Sequence, residues 1–271
     1  MPAPKVLTQP GFSFRESDHS YWLNGKRLPG VTTIDGVLDK PALIWWAGDM
    51  AREFLVGKRD VFNPDQWATP PAMEAGRAYS EQEITALAVA AGGWHRATKE
   101  KAADFGSAAH DWIEADIYGV KQEKPKAPEV LSAVTAFLEW KARHHVEFVE
   151  VEWAIHDPAG RVGGKLDALA LVDGILRVLD HKTGKGIYME SVIQVGQYHM
   201  MAAPLIDQPL VGWPIILHEP KNGSGFAAYE LPVSPEKCGE MFDHLYAAYR
   251  LKYEIEKATK AMRPIAEPEE V

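Results

Sequence analysis

The chain has 271 residues, of which 46% are apolar and 25% charged, enough for one sizeable core and ordinary for a globular protein. Its formal charge of −9 argues against a protein that coats nucleic acid nonspecifically, though not against an enzyme with a narrow basic groove. One cysteine, Cys238, leaves no disulfide framework and no four-cysteine iron–sulfur or zinc site.

In chain order, residues 12–34 place aromatic and β-branched residues on either side of Asn24-Gly25, a hairpin turn, and predict two or three short strands. Residues 41–56 have an apolar stripe at helical spacing. Residues 57–79, with Pro64, Pro70 and Pro71, read as loop. Ser80 and Glu83 form a capping box that opens a helix to about Ala91, which Gly92-Gly93 is expected to end. A second helix spans about 94–117, and a third about 129–145.

The pattern then turns to strands. Residues 148–155 alternate, Asp157-Pro158-Ala159-Gly160 reads as a turn, and strands at 165–172 and 175–180 flank a tight Asp173-Gly174 turn. A helix follows at about 190–203, then strands at 210–217 and 226–231. Ser234-Pro235 starts a long last helix, as cap and first residue, before an acidic tail at 266–271. The expected class is α/β: a mixed central sheet flanked by helices over 146–265, preceded by a hairpin and helical region over 1–145. No basic region followed by an apolar run opens the chain, and no window is long and apolar enough for a bilayer, so a cytoplasmic protein without membrane contact is expected.

Two segments carry chemistry. Asp167, in Gly164-Lys165-Leu166-Asp167, lies six residues before the Asp173-Gly174 turn. Asp180, in Asp180-His181-Lys182-Thr183-Gly184, lies six residues after it. Antiparallel pairing brings the two carboxylates together across strands about 4.8 Å apart, within reach of one divalent ion. Lys182, two residues beyond Asp180, shares its face, whereas His181 points the other way and offers only its backbone carbonyl as a hard ligand. Two acids and a lysine suit phosphodiester hydrolysis: the ion polarises the phosphate and acidifies water, and the lysine orients water or stabilises developing charge. A structural ion pair at a strand end is the competing reading of Asp-x-Lys alone.

Gln194 and Tyr198, at i and i+4, share a helix face near this site and suit substrate binding, or else an amphipathic helix with a partly buried tyrosine. His110, after the small residues of Gly106-Ser107-Ala108-Ala109, offers a nitrogen ligand. Glu152 reads as an acid behind the ligands or as a solvent-facing one. Trp45, Trp46, Trp94 and Trp112 can stack bases or fill a core, and none is assigned to the site.

Together these motifs resemble the RecB-type branch of the PD-(D/E)XK nucleases. That branch carries, in this order, a G-x-x-x-H, an acid on the first strand, a G-x-x-D, a D-x-K followed by Thr-Gly, and a Q-x-x-x-Y. The start, His19-x-Tyr21 with Pro29-Gly30-Val31-Thr32-Thr33, is similar to that of phage-type exonucleases and of relatives of the mitochondrial genome maintenance exonuclease. The resemblance implies a restriction-endonuclease-like core. It implies Mg²⁺ or Mn²⁺ held by His110, Asp167, Asp180 and the His181 carbonyl, with Lys182 catalytic and Gln194 and Tyr198 on the substrate. Its implied substrate is single-stranded or end-bearing DNA, in phage-type recombination, repair or replication beside a partner protein. An inert DNA-binding or structural protein of the same fold is the alternative. Presence of the histidine, every acid and the lysine favours activity.

Overall fold

The computed structural model describes residues 4–38, 41–59, 66–74, 76–219 and 225–262. The tail expected at 266–271 and the side chains of Trp45 and Trp46 fall outside what is described.

Three strands open the fold, β1 (Phe12–Arg15), β2 (Ser20–Leu23) and β3 (Lys26–Leu28), as an antiparallel sheet in that order. Asn24 and Gly25 both take positive φ, 50° and 77°, the left-handed conformation that a two-residue hairpin turn requires. Val31–Asp35 is a short helix, α1, and not further strand. Val31 and Ile34, three residues apart, are both fully buried, so helical spacing overrides the β-branched composition.

Helix α2 (Pro41–Val56) is as expected, but the segment read as loop contains two short paired strands, β4 (Lys58–Arg59) and β5 (Trp67–Thr69). The capping box is present: the Ser80 hydroxyl accepts from the Glu83 amide at 3.3 Å, and the Glu83 carboxylate accepts from the Ser80 amide at 2.8 Å. The helix it opens, α3, runs unbroken from Glu81 to Ile117, which corrects the expected break at Gly92-Gly93. Neither glycine adopts the left-handed conformation of a helix-ending glycine. Their cost of about 1 kcal/mol each is small beside the packing of α2 along α3.

After α4 (Pro128–Arg143) come β6 (Val146–His156), β7 (Gly163–Val172), β8 (Ile175–Lys182), α5 (Met189–Ala202), β9 (Ile215–His218), β10 (Ala227–Glu230) and α6 (Pro235–Lys260). The five strands form one sheet in the order β10-β9-β8-β7-β6. Only β8 and β9 pair in parallel, joined through α5, so the sheet is mixed. Asp173 and Gly174, both at positive φ, close the β7–β8 turn. The Asp157 turn is held by its own buried carboxylate, which accepts from the Arg161 and Val162 amides at 2.5 and 2.9 Å.

Each sheet face carries its own apolar cluster. On one, Leu166, Leu169 and Val178 pack with Val31 of α1, Met201 of α5 and Phe242 of α6. On the other, Ala168, Ala170 and Leu179 pack with Ile113 of α3 and Phe137 of α4. The functional residues lie where β7 and β8 part, between α3 on one face and α5 on the other.

Candidate metal centre

The β7–β8 ladder pairs Val172 with Ile175 and ends at Ala168 with Leu179. One step further in this register sets Asp167 opposite Asp180, as counting from the turn predicts. There the Asp167 carboxylate takes over: its Oδ2 accepts the His181 amide at 2.7 Å.

His110 reaches the same carboxylate from α3, with Nδ1 3.8 Å from Asp167 Oδ2. Its neighbour Ala109 is buried in the α3–α4 cluster, which anchors this turn of helix beside the sheet. Glu152 arrives from β6. The β6–β7 register slips between Phe148 and Glu150, and Glu152 then lies between the pairs Val151–Ala168 and Trp153–Leu166, level with Asp167. Its φ is +50°, a conformation that costs a non-glycine residue of order 1 kcal/mol or more inside a strand. His110, Glu152 and Asp167 each offer one ligand atom, all within 4.8 Å of one another, so these three could hold a metal ion. Two carboxylate oxygens and an imidazole nitrogen are a donor set that fits a hard or borderline divalent cation. Glu152, read in the sequence as an acid behind the ligands or as a solvent-facing one, thus joins the group that could hold the ion.

Asp180 is buried beside this group, and its Oδ2 lies 2.6 Å from Lys182 Nζ without the alignment of a hydrogen bond. Burial pushes its pKa up to about 6, against the pull of Lys182. Burial acts the same way on Asp167, but His110, Lys182 and His181 outweigh it and hold that carboxyl below its ordinary value. Lys182 is itself disfavoured by burial, yet Asp180 and Asp167, with a smaller contribution from Asp35 of α1, raise its pKa and keep it charged.

The His181 side chain does point the other way. Its ring is 4% exposed, packs edge-on to Phe137 and His110, and places Nδ1 3.0 Å from Oε1 of Glu219, itself fully buried. Burial opposes the imidazolium, but the Glu219 carboxylate lifts its pKa to about 9. The Glu219 amide in turn donates to the Lys182 carbonyl at 2.9 Å.

Gln194 and Tyr198 stand together on α5, the Gln194 amide donating to the Tyr198 hydroxyl at 3.0 Å. Tyr198 is buried against Gly164, where an added Cβ would come within 2.6 Å of its ring. Gly163 meets Tyr21 of β2 equally closely. The adjacent glycines let two tyrosines lie against the start of β7.

Sequence reasoning missed Lys165, Glu16, Asp35 and Glu219. Lys165 Nζ lies 2.5 Å from Glu152 Oε2 and 3.6 Å from Glu16. Period-2 spacing from Asp167 could have pointed to Lys165. Nothing local marks the other three, which come from elements remote in the chain. Trp94 packs on Phe54, and the Trp112 indole donates to the Glu123 carbonyl. No protein-family model matches the chain, and no curated protein matches it either.

Proposed function

We propose that this protein is a divalent-metal-dependent deoxyribonuclease, built on a restriction-endonuclease-like core and acting as an exonuclease on single-stranded or end-bearing DNA. The observation that carries the reading is the convergence of His110, Glu152, Asp167, Asp180 and Lys182 where β7 and β8 part. Of the carboxylates, Asp167 is kept ionised and Asp180 sits against a charged lysine.

Mg²⁺ or Mn²⁺ would be held by His110, Glu152 and Asp167, with Asp180 and the His181 carbonyl as further ligands. Bound there, the ion would supply Lewis acidity toward a phosphate oxygen and acidify water. Lys182, held protonated, donates hydrogen bonds to the charge that builds on the phosphate during attack. Asp180 fixes the lysine by its ion pair. Gln194 orients the Tyr198 hydroxyl, and this pair braces the substrate side of β7. Phage-type recombination, repair or replication with a partner protein is the setting that the motif order suggests.

The test is cleavage of end-labelled linear single- and double-stranded DNA and of closed circles, with Mg²⁺, Mn²⁺ or EDTA, beside Lys182→Ala. Metal-dependent loss of linear DNA alone, absent in the variant, is the expected result. Cut circles would make the enzyme an endonuclease. Absence of cleavage by the wild type under every condition would leave an inert nuclease-fold binding protein.

A further inference from the structure

The β1–β3 sheet has two unlike faces. On the inner one, Phe12 packs 5.1 Å from the His156 ring, Tyr21 covers Gly163 and Leu23 covers Gly160. Alternation turns Ser13, Arg15, Trp22 and Arg27 outward. There the Arg15 guanidinium lies 4.4 Å from the centre of the Trp22 ring, and Arg27 is the direct cross-strand neighbour of Trp22. Both arginines are exposed. The indole N–H donates to Ser20 Oγ at 2.7 Å, and that hydroxyl donates to Asp18 at 2.6 Å, so the orientation of the ring is fixed.

We propose that this outer face, built on Arg15, Trp22 and Arg27, binds a single-stranded polynucleotide on its way to the metal centre. Two observations argue for that occupant. On a chain of net charge −9, one exposed guanidinium lies over one face of an oriented indole and a second exposed arginine is its cross-strand neighbour, a combination of positive charge and aromatic ring that matches a ligand with both phosphates and unpaired bases. Bases inside a duplex are stacked on one another and cannot use the ring. The end of β1, where the face begins, also borders the site on the inner side of the sheet. Glu16, next to Arg15, is 3.6 Å from Lys165 Nζ, and that amine sits 5.3 Å from the Phe14 ring centre and 2.5 Å from Glu152. The nearby acids are engaged: Glu16 with Lys165, Asp18 with Ser20.

The path to the metal centre rests on the nuclease reading; binding to the face does not. The test is therefore binding without turnover: fluorescence anisotropy of labelled oligothymidylate in EDTA. Trp22→Ala should weaken binding about tenfold, as expected for one lost stacked base, and Trp22→Phe should keep most of it. Arg15→Gln with Arg27→Gln should lower the slope of log affinity against log salt by about 1.4. Trp22-dependent binding by a wild type that never cleaves would uphold the face and sink the nuclease reading. Cleavage and binding unchanged in the double arginine variant and in Trp22→Phe and Trp22→Ala would overturn the face alone. So would equal binding of a duplex, or equal displacement by polyglutamate, which would make the occupant an acidic polypeptide.

Discussion

Asp167 carries more of the site than any other side chain. One of its oxygens accepts the His181 amide and lies within 3.8 Å of His110, while the carboxyl stays ionised despite its burial. Asp167→Asn keeps the shape and removes the charge, so Mn²⁺ affinity measured by calorimetry should fall by roughly tenfold or more. Mn²⁺ should also raise the melting temperature of the wild type and not that of this variant, since an ion that binds only the folded chain stabilises it by mass action. Unchanged calorimetric binding would remove Asp167 from the metal centre. Lys182→Ala should abolish DNA cleavage and leave the far-ultraviolet circular dichroism unaltered, because the lysine is partly exposed and its partner Asp180 can take up a proton once the cation is gone.

At the scale of elements, two glycine positions have opposite consequences. Gly164 lies at the start of β7 under Tyr198 and Val31, and a Cβ there would meet them at 2.6 and 3.2 Å. Gly164→Ala should destabilise the fold by about 1–3 kcal/mol and disturb the Gln194–Tyr198 pair. Gly92 and Gly93 lie inside α3 with right-handed backbone, and a Cβ at either would meet nothing within 4 Å. Gly92→Ala and Gly93→Ala should each stabilise by about 0.5–1 kcal/mol, through a stiffer unfolded chain and better helix propensity. Denaturant unfolding of the three variants checks both signs together; a stabilising Gly164→Ala would contradict the packing of Tyr198.

Across the whole molecule, stability should depend on pH through a buried histidine next in the chain to Tyr198. His199 on α5 is buried, and its Nδ1 has no hydrogen-bond partner among the described residues. Burial lowers its pKa, with Glu236 opposing weakly. Because the folded value lies below the unfolded one of about 6.5, this contribution is present above that pH and fades as pH falls through the folded value. His199→Gln, which cannot charge, should therefore flatten the loss of melting temperature as pH falls below about 6.5. An equally steep loss in the variant would assign the acid sensitivity to other groups.

Periodicity and turn chemistry made much legible in the sequence. Alternation and the Asn24-Gly25 and Asp173-Gly174 turns mark the strands, Ser80 and Ser234 mark helix starts, and equal spacing about one turn sets Asp167 against Asp180. These are local rules, readable within a few residues. The unbroken α3 and the helix at Val31–Asp35 escaped them because packing against other elements outweighed local preference, and the strands at Lys58–Arg59 and Trp67–Thr69 because two or three residues are too few to show alternation. Only the tertiary structure decided that Glu152, turned by its positive φ after a slip in register, joins His110 and Asp167. It alone decided that Glu219 charges His181 and that Lys165 draws Glu16, in the turn between β1 and β2, to the candidate metal centre. Those contacts join residues far apart in the chain, and no local pattern encodes them: they exist only once the central sheet and its flanking helices have packed.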